Sequence, residues 1–169
     1  RDTPAQKQDQ GKNAVLAGAC LQNIGQAGVD KPTWDDTLAA LSQTMTALDL
    51  AAATRRDAGM MLGELGWTPN DLDAMVKVPQ GEFLFGDKNQ KRTLPTFVIS
   101  KYPVTNAQFK RFYLAGGYSH PQWWSTEGWK LREKEKWERP RYWDDSRFNN
   151  ALQPVVGVSW YEAEAYCNW

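Results

Sequence analysis

The sequence is poor in histidine and cysteine, the residues on which many metal sites and nucleophilic active sites depend. Its 169 residues include one histidine, His120, and two cysteines, Cys20 and Cys167. The cysteines lie far apart and show none of the C-x-x-C or Cys/His spacing of a zinc site. A loop histidine with no thiol or second base near it in sequence makes no catalytic triad. We therefore predict no catalytic residue and no metal ligand, and two buried, reduced thiols rather than a disulfide.

Long apolar runs and an excess of one charge are also absent. No stretch approaches the roughly 18 to 20 consecutive apolar residues of a membrane span, and the polar start RDTPAQKQDQGKN has no apolar region behind it. Twenty basic residues balance twenty acidic ones, so no net field favours nucleic acid or an anionic membrane. No phosphate-binding G-x-x-x-x-G-K-[S/T] sequence occurs. We expect a globular, cytoplasmic protein with neither a nucleic-acid nor a membrane partner.

The first part of the chain has helical spacing and an internal repeat. The segments AGACLQNIG (17–25) and AGMMLGELG (58–66) share a pattern at a spacing of 41 residues, a period typical of stacked helix pairs. We predict helices over 13–27, 33–47 and 50–65, with Gly25 and Gly66 as C-terminal caps. Residues 13–74 resemble a HEAT-like α-solenoid, and residues 1–12 are a polar leader or a cut edge. Fewer than two repeat units are visible, so we expect a longer helical array upstream; the alternative is a small helical cap on the next domain.

The second part alternates aromatic and β-branched residues with turns. Val76 and Val78 predict a strand that forms a hairpin with the strand through Phe83 and Phe85, and TFVIS (96–100) predicts another strand. Two capping boxes, in which a hydroxyl residue precedes Gln or Glu by three positions, predict helices starting after Thr105 and Ser159. Val155 and Val156 are expected to form a buried strand.

Several motifs of the second part recur in the order of one family. They are V-P-x-G-x-F-x-x-G, KYPVTNAQFKRF, AGGY, PRYWDDSRFNN and QPVVGVSWYEAEAYCNW. Residues 75–169 thus resemble the N-terminal half of the sulfatase-modifying, formylglycine-generating-enzyme-like domain, an elaborated C-type lectin fold. The expected fold class is α+β: a short HEAT-like α-helical segment followed by the first half of this lectin-type fold.

The resemblance limits what chemistry can be assigned to this chain. Formylglycine-generating enzymes oxidise a sulfatase cysteine using two cysteines, copper and oxygen, and those cysteines belong to the later half of the domain. The calcium-binding loops of the family also belong to that half. We therefore expect no cofactor in this chain, with calcium reserved for the missing half. Cys167 matches a family position that forms a structural disulfide in some members, and without its partner we expect a buried thiol.

Tryptophans supply the candidate binding residues. Five of the nine lie between 123 and 143. We predict core packing for Trp129, Trp143 and Trp160, whereas Trp123 and Trp124 are equally compatible with ligand binding. The charged stretch 130–141 alternates in sign, which favours a solvated helix face over a nucleic-acid surface.

Two functional hypotheses follow. The first is a non-catalytic ligand- or protein-binding sensor module at the C-terminal end of a larger bacterial signalling or defence protein, as in NACHT-type STAND ATPases, or a variable protein diversified by a retroelement. The alternative is a formylglycine-generating-type oxidase or a related iron-dependent sulfoxide synthase whose catalytic half lies beyond Trp169. The helical repeat favours the first. The ligand is not identified by the sequence, and another chain or a remaining segment is expected to complete the lectin fold.

Overall fold

Three helices occupy the first part of the chain in the computed structural model, which describes residues 2–169. They are α1 (Pro4–Ile24), α2 (Lys31–Thr46) and α3 (Ala52–Glu64). Each packs against the other two, around a core formed by Ala14, Leu41, Ala58 and Leu62. The three helices thus share one apolar core.

The ends of these helices are set by local signals. A capping box of Thr3 and Gln6 starts α1 at Pro4, nine residues before the predicted start, because a polar first turn with a good cap is as helical as an apolar one. Asp30 caps α2 by accepting a hydrogen bond from the Thr33 amide. Gly25 ends α1 at φ 78°, as predicted. The division of the chain at residues 12 and 74 stays a prediction.

Residues 69–104 form a compact unit of their own, and the rest of the chain forms the other. In the smaller unit, β1 (Met75–Val78) pairs antiparallel with β4 (Phe97–Ser100), and β2 (Gly81–Phe85) pairs antiparallel with β3 (Gln90–Leu94). The predicted hairpin between β1 and β2 is therefore wrong. Gly86 and Asn89 both have positive φ, and the turn they form folds β2 back onto β3 instead.

The larger unit continues with α4 (Asn106–Leu114), α5 (Thr126–Glu135) and α6 (Trp160–Asn168). Both predicted capping boxes are confirmed: Thr105 with Gln108 starts α4, and Ser159 with Glu162 starts α6. The predicted strand at 155–156 is wrong, since the described residues form only an isolated bridge there, between Thr105 and Pro154. The predicted α+β class is confirmed.

Both cysteines are free, as predicted, but both are exposed, so their predicted burial is wrong. The buried face of α1 runs through Gly11, Ala14, Gly18 and Leu21. Cys20 lies off that face, since adjacent helix positions are about 100° apart. Cys167 likewise lies outside the buried face of α6, which carries Glu162 and Ala165.

Among residues 2–169, none of the helices combines the length and the apolar content that a membrane span requires. The cytoplasmic location stays a prediction.

Candidate functional site

An aromatic layer under α4 organises the larger unit. Phe109 and Phe112 on α4 are fully buried, and their rings contact each other edge to face at 5.4 Å. Tyr166 of α6 stacks on Phe109 at 5.3 Å with an interplanar angle of 16°. Such ring pairs stabilise beyond the area they bury. The layer fixes α6 against α4 and so positions the polar groups described next.

The two tryptophans proposed as ligand contacts lie at the edge of this layer. Trp124 is 7% exposed, and its indole N–H donates to the Gly117 carbonyl oxygen at 2.8 Å. Trp123 is partly buried, with its ring 5.8 Å from that of Phe112 and 5.1 Å from that of His120. The polar atom of Trp124 is thus already used within the fold. Ligand binding by Trp123 and Trp124 stays a prediction.

The three tryptophans that were predicted to pack in the core differ in their burial. Trp129 and Trp143 are partly buried, and each makes a ring contact, with Trp124 and Phe109 respectively. Trp160 is 69% exposed, so its predicted core role is wrong. It occupies the first position of α6, on the side opposite the buried Glu162 and Ala165.

A buried hydrogen bond joins Tyr118 to Glu162 across the chain. The Tyr118 hydroxyl donates to Glu162 Oε1 at 2.5 Å, and the Ser159 amide donates to Glu162 Oε2 at 2.6 Å. Glu162 is 4% exposed. Burial, and then the charge of Glu162, raise the pKa of Tyr118 well above its usual range. Tyr118 therefore stays protonated and donates the hydrogen bond. The pair has a structural role rather than the role of an acid/base couple.

A second polar centre is built from Asn106 and Asn150. The Asn106 side chain donates to the carbonyl oxygens of Phe148 and Asn150, at 2.7 and 2.9 Å. The Asn150 side chain donates to the Met60 carbonyl oxygen at 2.9 Å and to Glu64 at 3.2 Å. These contacts attach the loop of residues 148–153 to both α4 and α3. Both asparagines lie within family motifs, but no feature of the sequence predicts these contacts.

Three open clefts surround these centres. The asparagine cleft, about 490 Å³, has Asn106, Lys110, Trp143 and Asn149 in its lining. The arginine cleft, about 540 Å³, is lined on one side by Arg139 and Arg141 and reaches Glu162. The tyrosine cleft, about 400 Å³, lies at the end of α4 and the loop that follows it, and is lined by Tyr113, Leu114, Gly116, Tyr118, Ser119, Arg132 and Glu138. All three are large enough for a small organic ligand.

The described residues do not assemble a metal site. Within 2–169, no group of three or more histidine, cysteine, aspartate or glutamate side chains is placed to hold an ion. His120 contacts Trp123 through its ring.

Comparison with known proteins gives a consistent result. Residues 63–169 match the model of the sulfatase-modifying factor enzyme 1-like domain. A hercynine oxygenase of Mycolicibacterium smegmatis is 38% identical over 85 residues, which are 45% of this chain and 20% of that protein. The hercynine oxygenase of Mycobacterium tuberculosis is 37% identical over 86 residues, with the same coverage. The formylglycine-generating enzyme of Mus musculus is 27% identical over 139 residues, 62% of this chain and 37% of that enzyme.

These matches correct the preferred functional hypothesis. The chain spans about a fifth of the length of the mycobacterial relatives. Those relatives and the mouse protein are named as enzymes. The hypothesis of a non-catalytic sensor module is therefore wrong, and the enzymatic alternative fits better. The helical repeat favoured the sensor module, whereas the specific motifs belong to the domain that is similar to these enzymes.

Proposed function

The chain belongs to the sulfatase-modifying factor enzyme 1-like domain family, and from this premise we propose that it is part of an oxygen-dependent enzyme that oxidises a sulfur-containing substrate or forms a carbon–sulfur bond. The observation that carries the proposal is the 38% identity to a protein named hercynine oxygenase. The similarity to a formylglycine-generating enzyme supports the same reaction class. Activity and substrate are proposed for the whole protein of which these residues are a part.

Within that enzyme, the residues described here supply the scaffold. The Tyr118–Glu162 hydrogen bond and the two asparagines hold α3, α4, α6 and the 148–153 loop together. A reacting centre on such a scaffold is held in position because its support is rigid. Among residues 2–169, the donor side chains do not form a set that fits copper, as in formylglycine-generating enzymes, or iron, as in the related sulfoxide synthases.

An oxygen-uptake assay on the whole protein tests the proposal. One reaction contains hercynine, a thiol and iron(II); the other contains a cysteine-bearing sulfatase peptide and copper. We expect oxygen-dependent product by mass spectrometry in one of the two, with none in an anaerobic sample or with heat-denatured protein. Absence of oxygen-dependent product in both reactions contradicts the proposal.

The surroundings of the domain are a further part of the proposal. The 41-residue repeat and the mutual packing of α1, α2 and α3 support a HEAT-like segment, of the kind found in bacterial NACHT/STAND-type proteins. The Asn150 contacts to α3 favour the alternative, a helical cap on the following domain. The reading frame upstream of residue 1 distinguishes them: further copies of the repeat support the array, and their absence supports the cap.

We also propose that another segment or chain completes the lectin-type fold over the strands of the smaller unit. Apolar side chains on these strands are exposed, among them Leu84 at 61% and Val98 at 56%. Exposed apolar residues gathered in one small unit are typical of a surface that another part of the protein covers.

A further inference from the structure

The tyrosine cleft contains an arginine whose hydrogen-bonding capacity is unused. The Nε atom of Arg132 is buried and has no hydrogen-bond acceptor among residues 2–169. Its guanidinium lies over the Trp129 ring, 5.1 Å from the centroid, which holds the planar group in one orientation. Buried polar groups in native proteins are nearly always hydrogen-bonded. The other nitrogen atoms of the guanidinium also have no acceptor among residues 2–169, and Arg132 lines the cleft, so a ligand in the cleft can supply an acceptor.

The shape of the guanidinium defines that acceptor. Arginine presents its N–H donors in a planar fork that matches a carboxylate with two parallel hydrogen bonds. Since Arg132 makes no ion pair with any described residue, its charge is free for an anionic group. Arg139, by comparison, is already paired with Asp144 at 2.8 Å.

A second charge of opposite sign lines the same cleft. Glu138 is exposed, lines the cleft with Arg132, and forms no ion pair with it or with another described residue. A ligand carrying only an anion would meet repulsion from Glu138, and one carrying only a cation would meet repulsion from Arg132. A zwitterion satisfies both charges.

The rest of the lining consists of two tyrosines, a leucine, a glycine and Ser119. Tyr113 and Leu114, from the end of α4, lie beside Tyr118, whose hydroxyl is already committed to Glu162. We propose that the tyrosine cleft binds an α-amino acid with an apolar side chain, with its carboxylate on Arg132, its ammonium group near Glu138 and its side chain against Tyr113 and Leu114. This inference concerns binding alone and does not rest on the proposed activity.

Three probes that share one apolar body test it by calorimetric titration of the whole protein. L-Phenylalanine carries both charges, phenylacetate only the carboxylate, and phenethylamine only the ammonium group. We expect L-phenylalanine to bind with a Kd of about 1 mM or tighter and each single-charge probe at least about tenfold more weakly. No saturable binding of L-phenylalanine up to about 10 mM overturns the proposal.

Two variants assign the charges to their residues. Arg132→Gln is expected to weaken L-phenylalanine binding about tenfold or more while phenethylamine binding is kept or strengthened. Glu138→Gln is expected to weaken L-phenylalanine binding by a similar factor while phenylacetate binding is kept or strengthened. Glu133→Gln, on an exposed position of the same helix, is the matched control and should change nothing.

Folding is checked separately by circular dichroism. If Arg132→Gln fails to fold, Arg132→Lys keeps the charge but not the planar fork, and it should still weaken carboxylate binding. If L-phenylalanine and phenylacetate bind equally and Glu138→Gln has no effect, the proposal that the cleft prefers a zwitterion is overturned. Unchanged binding in the folded Arg132 variant overturns the site.

Discussion

Tyr118 and Glu162 are 3% and 4% exposed, so the Tyr118 hydroxyl and Glu162 Oε1 depend mainly on each other for hydrogen bonding. Their 2.5 Å contact is the direct side-chain link between the loop after α4 and the first turn of α6. The Ser159 capping box, visible in the sequence, positions the Glu162 carboxylate; the loop then supplies the hydroxyl that satisfies its other oxygen.

Tyr118→Phe should destabilise the protein by about 2 kcal/mol, because it leaves a buried carboxylate oxygen without its donor. Urea denaturation measures the change in the free energy of unfolding. Tyr142→Phe is the control, since that ring is exposed, and it should shift stability by less than about 0.5 kcal/mol. A loss no larger for Tyr118→Phe than for this control would show that the bond contributes nothing.

Asp145 provides a prediction about pH. Hydrogen bonds from the Arg147 guanidinium, at 2.6 and 3.0 Å, and from the Arg147 amide lower the pKa of the carboxyl to about 2. Because the folded pKa lies below the unfolded value of about 3.9, the contribution of this pair is complete above pH 3.9 and is lost as the pH falls through 2.

Carbon-13 NMR of the carboxyl group checks the Asp145 titration. Arg147→Gln should return the midpoint towards about 3.9, whereas Arg139→Gln, which removes the partner of Asp144 instead, should leave it in place. A wild-type midpoint near 3.9 would contradict the pairing.

At the scale of elements, α3 is held by a close approach at Gly63. A Cβ added there would lie 2.0 Å from Asn150 Oδ1 and 2.8 Å from its Cγ. The Asn150 side chain cannot move aside easily, because it is bound to Met60, Glu64 and the Leu152 amide. Helix α3 and the 148–153 loop can therefore pack together only if position 63 has no side chain.

Gly63→Ala should destabilise the protein by about 2 kcal/mol, since the overlap outweighs the gain of about 0.5 to 1 kcal/mol from replacing a helical glycine. Gly59→Ala, one turn earlier in α3, meets only the flexible Met45 side chain at 3.2 Å and should be neutral or stabilising. Thermal unfolding of both variants measures the difference. Equal melting temperatures would mean that the loop does not pack on α3 as described.

At the scale of the whole molecule, the strands and the helices differ in how far their residues are exposed to solvent. β2 and β3 form a two-stranded sheet in which every residue is exposed, and isolated pairs of strands are marginally stable. The core helices α3 and α4 carry fully buried residues.

In the chain of residues 1–169, hydrogen exchange should therefore be at least about tenfold faster for the paired amides of β2 and β3 than for those of α3 and α4. Mass spectrometry of peptides from each element measures it. In the whole protein, the strand amides should gain protection if another segment covers them. Equal protection of strands and helices in the chain alone contradicts the expectation.

How much of the candidate site could be predicted depends on how local its determinants are. The sequence identified Trp123 and Trp124 as candidate binding residues, because clustered tryptophans either pack or bind, but it did not predict the aromatic layer that Trp123 contacts. It did not identify Arg132 as an unsatisfied donor or Asn150 as a link to α3. Both properties depend on neighbours that are not adjacent in sequence, such as Met60 for Asn150.

The sequence by itself determined the α+β class, the helix starts after Thr105 and Ser159, and the end of α1 at Gly25, because caps act between residues at most four positions apart. It also determined the family, through motifs in a fixed order. Only the tertiary structure decided that β1 pairs with β4, that Trp160 and the cysteines are exposed, and that Glu162 is locked to Tyr118. These outcomes depend on which segments, distant in sequence, pack together and exclude water. The periodicity of one segment shows which of its faces is apolar but not which other segment covers that face.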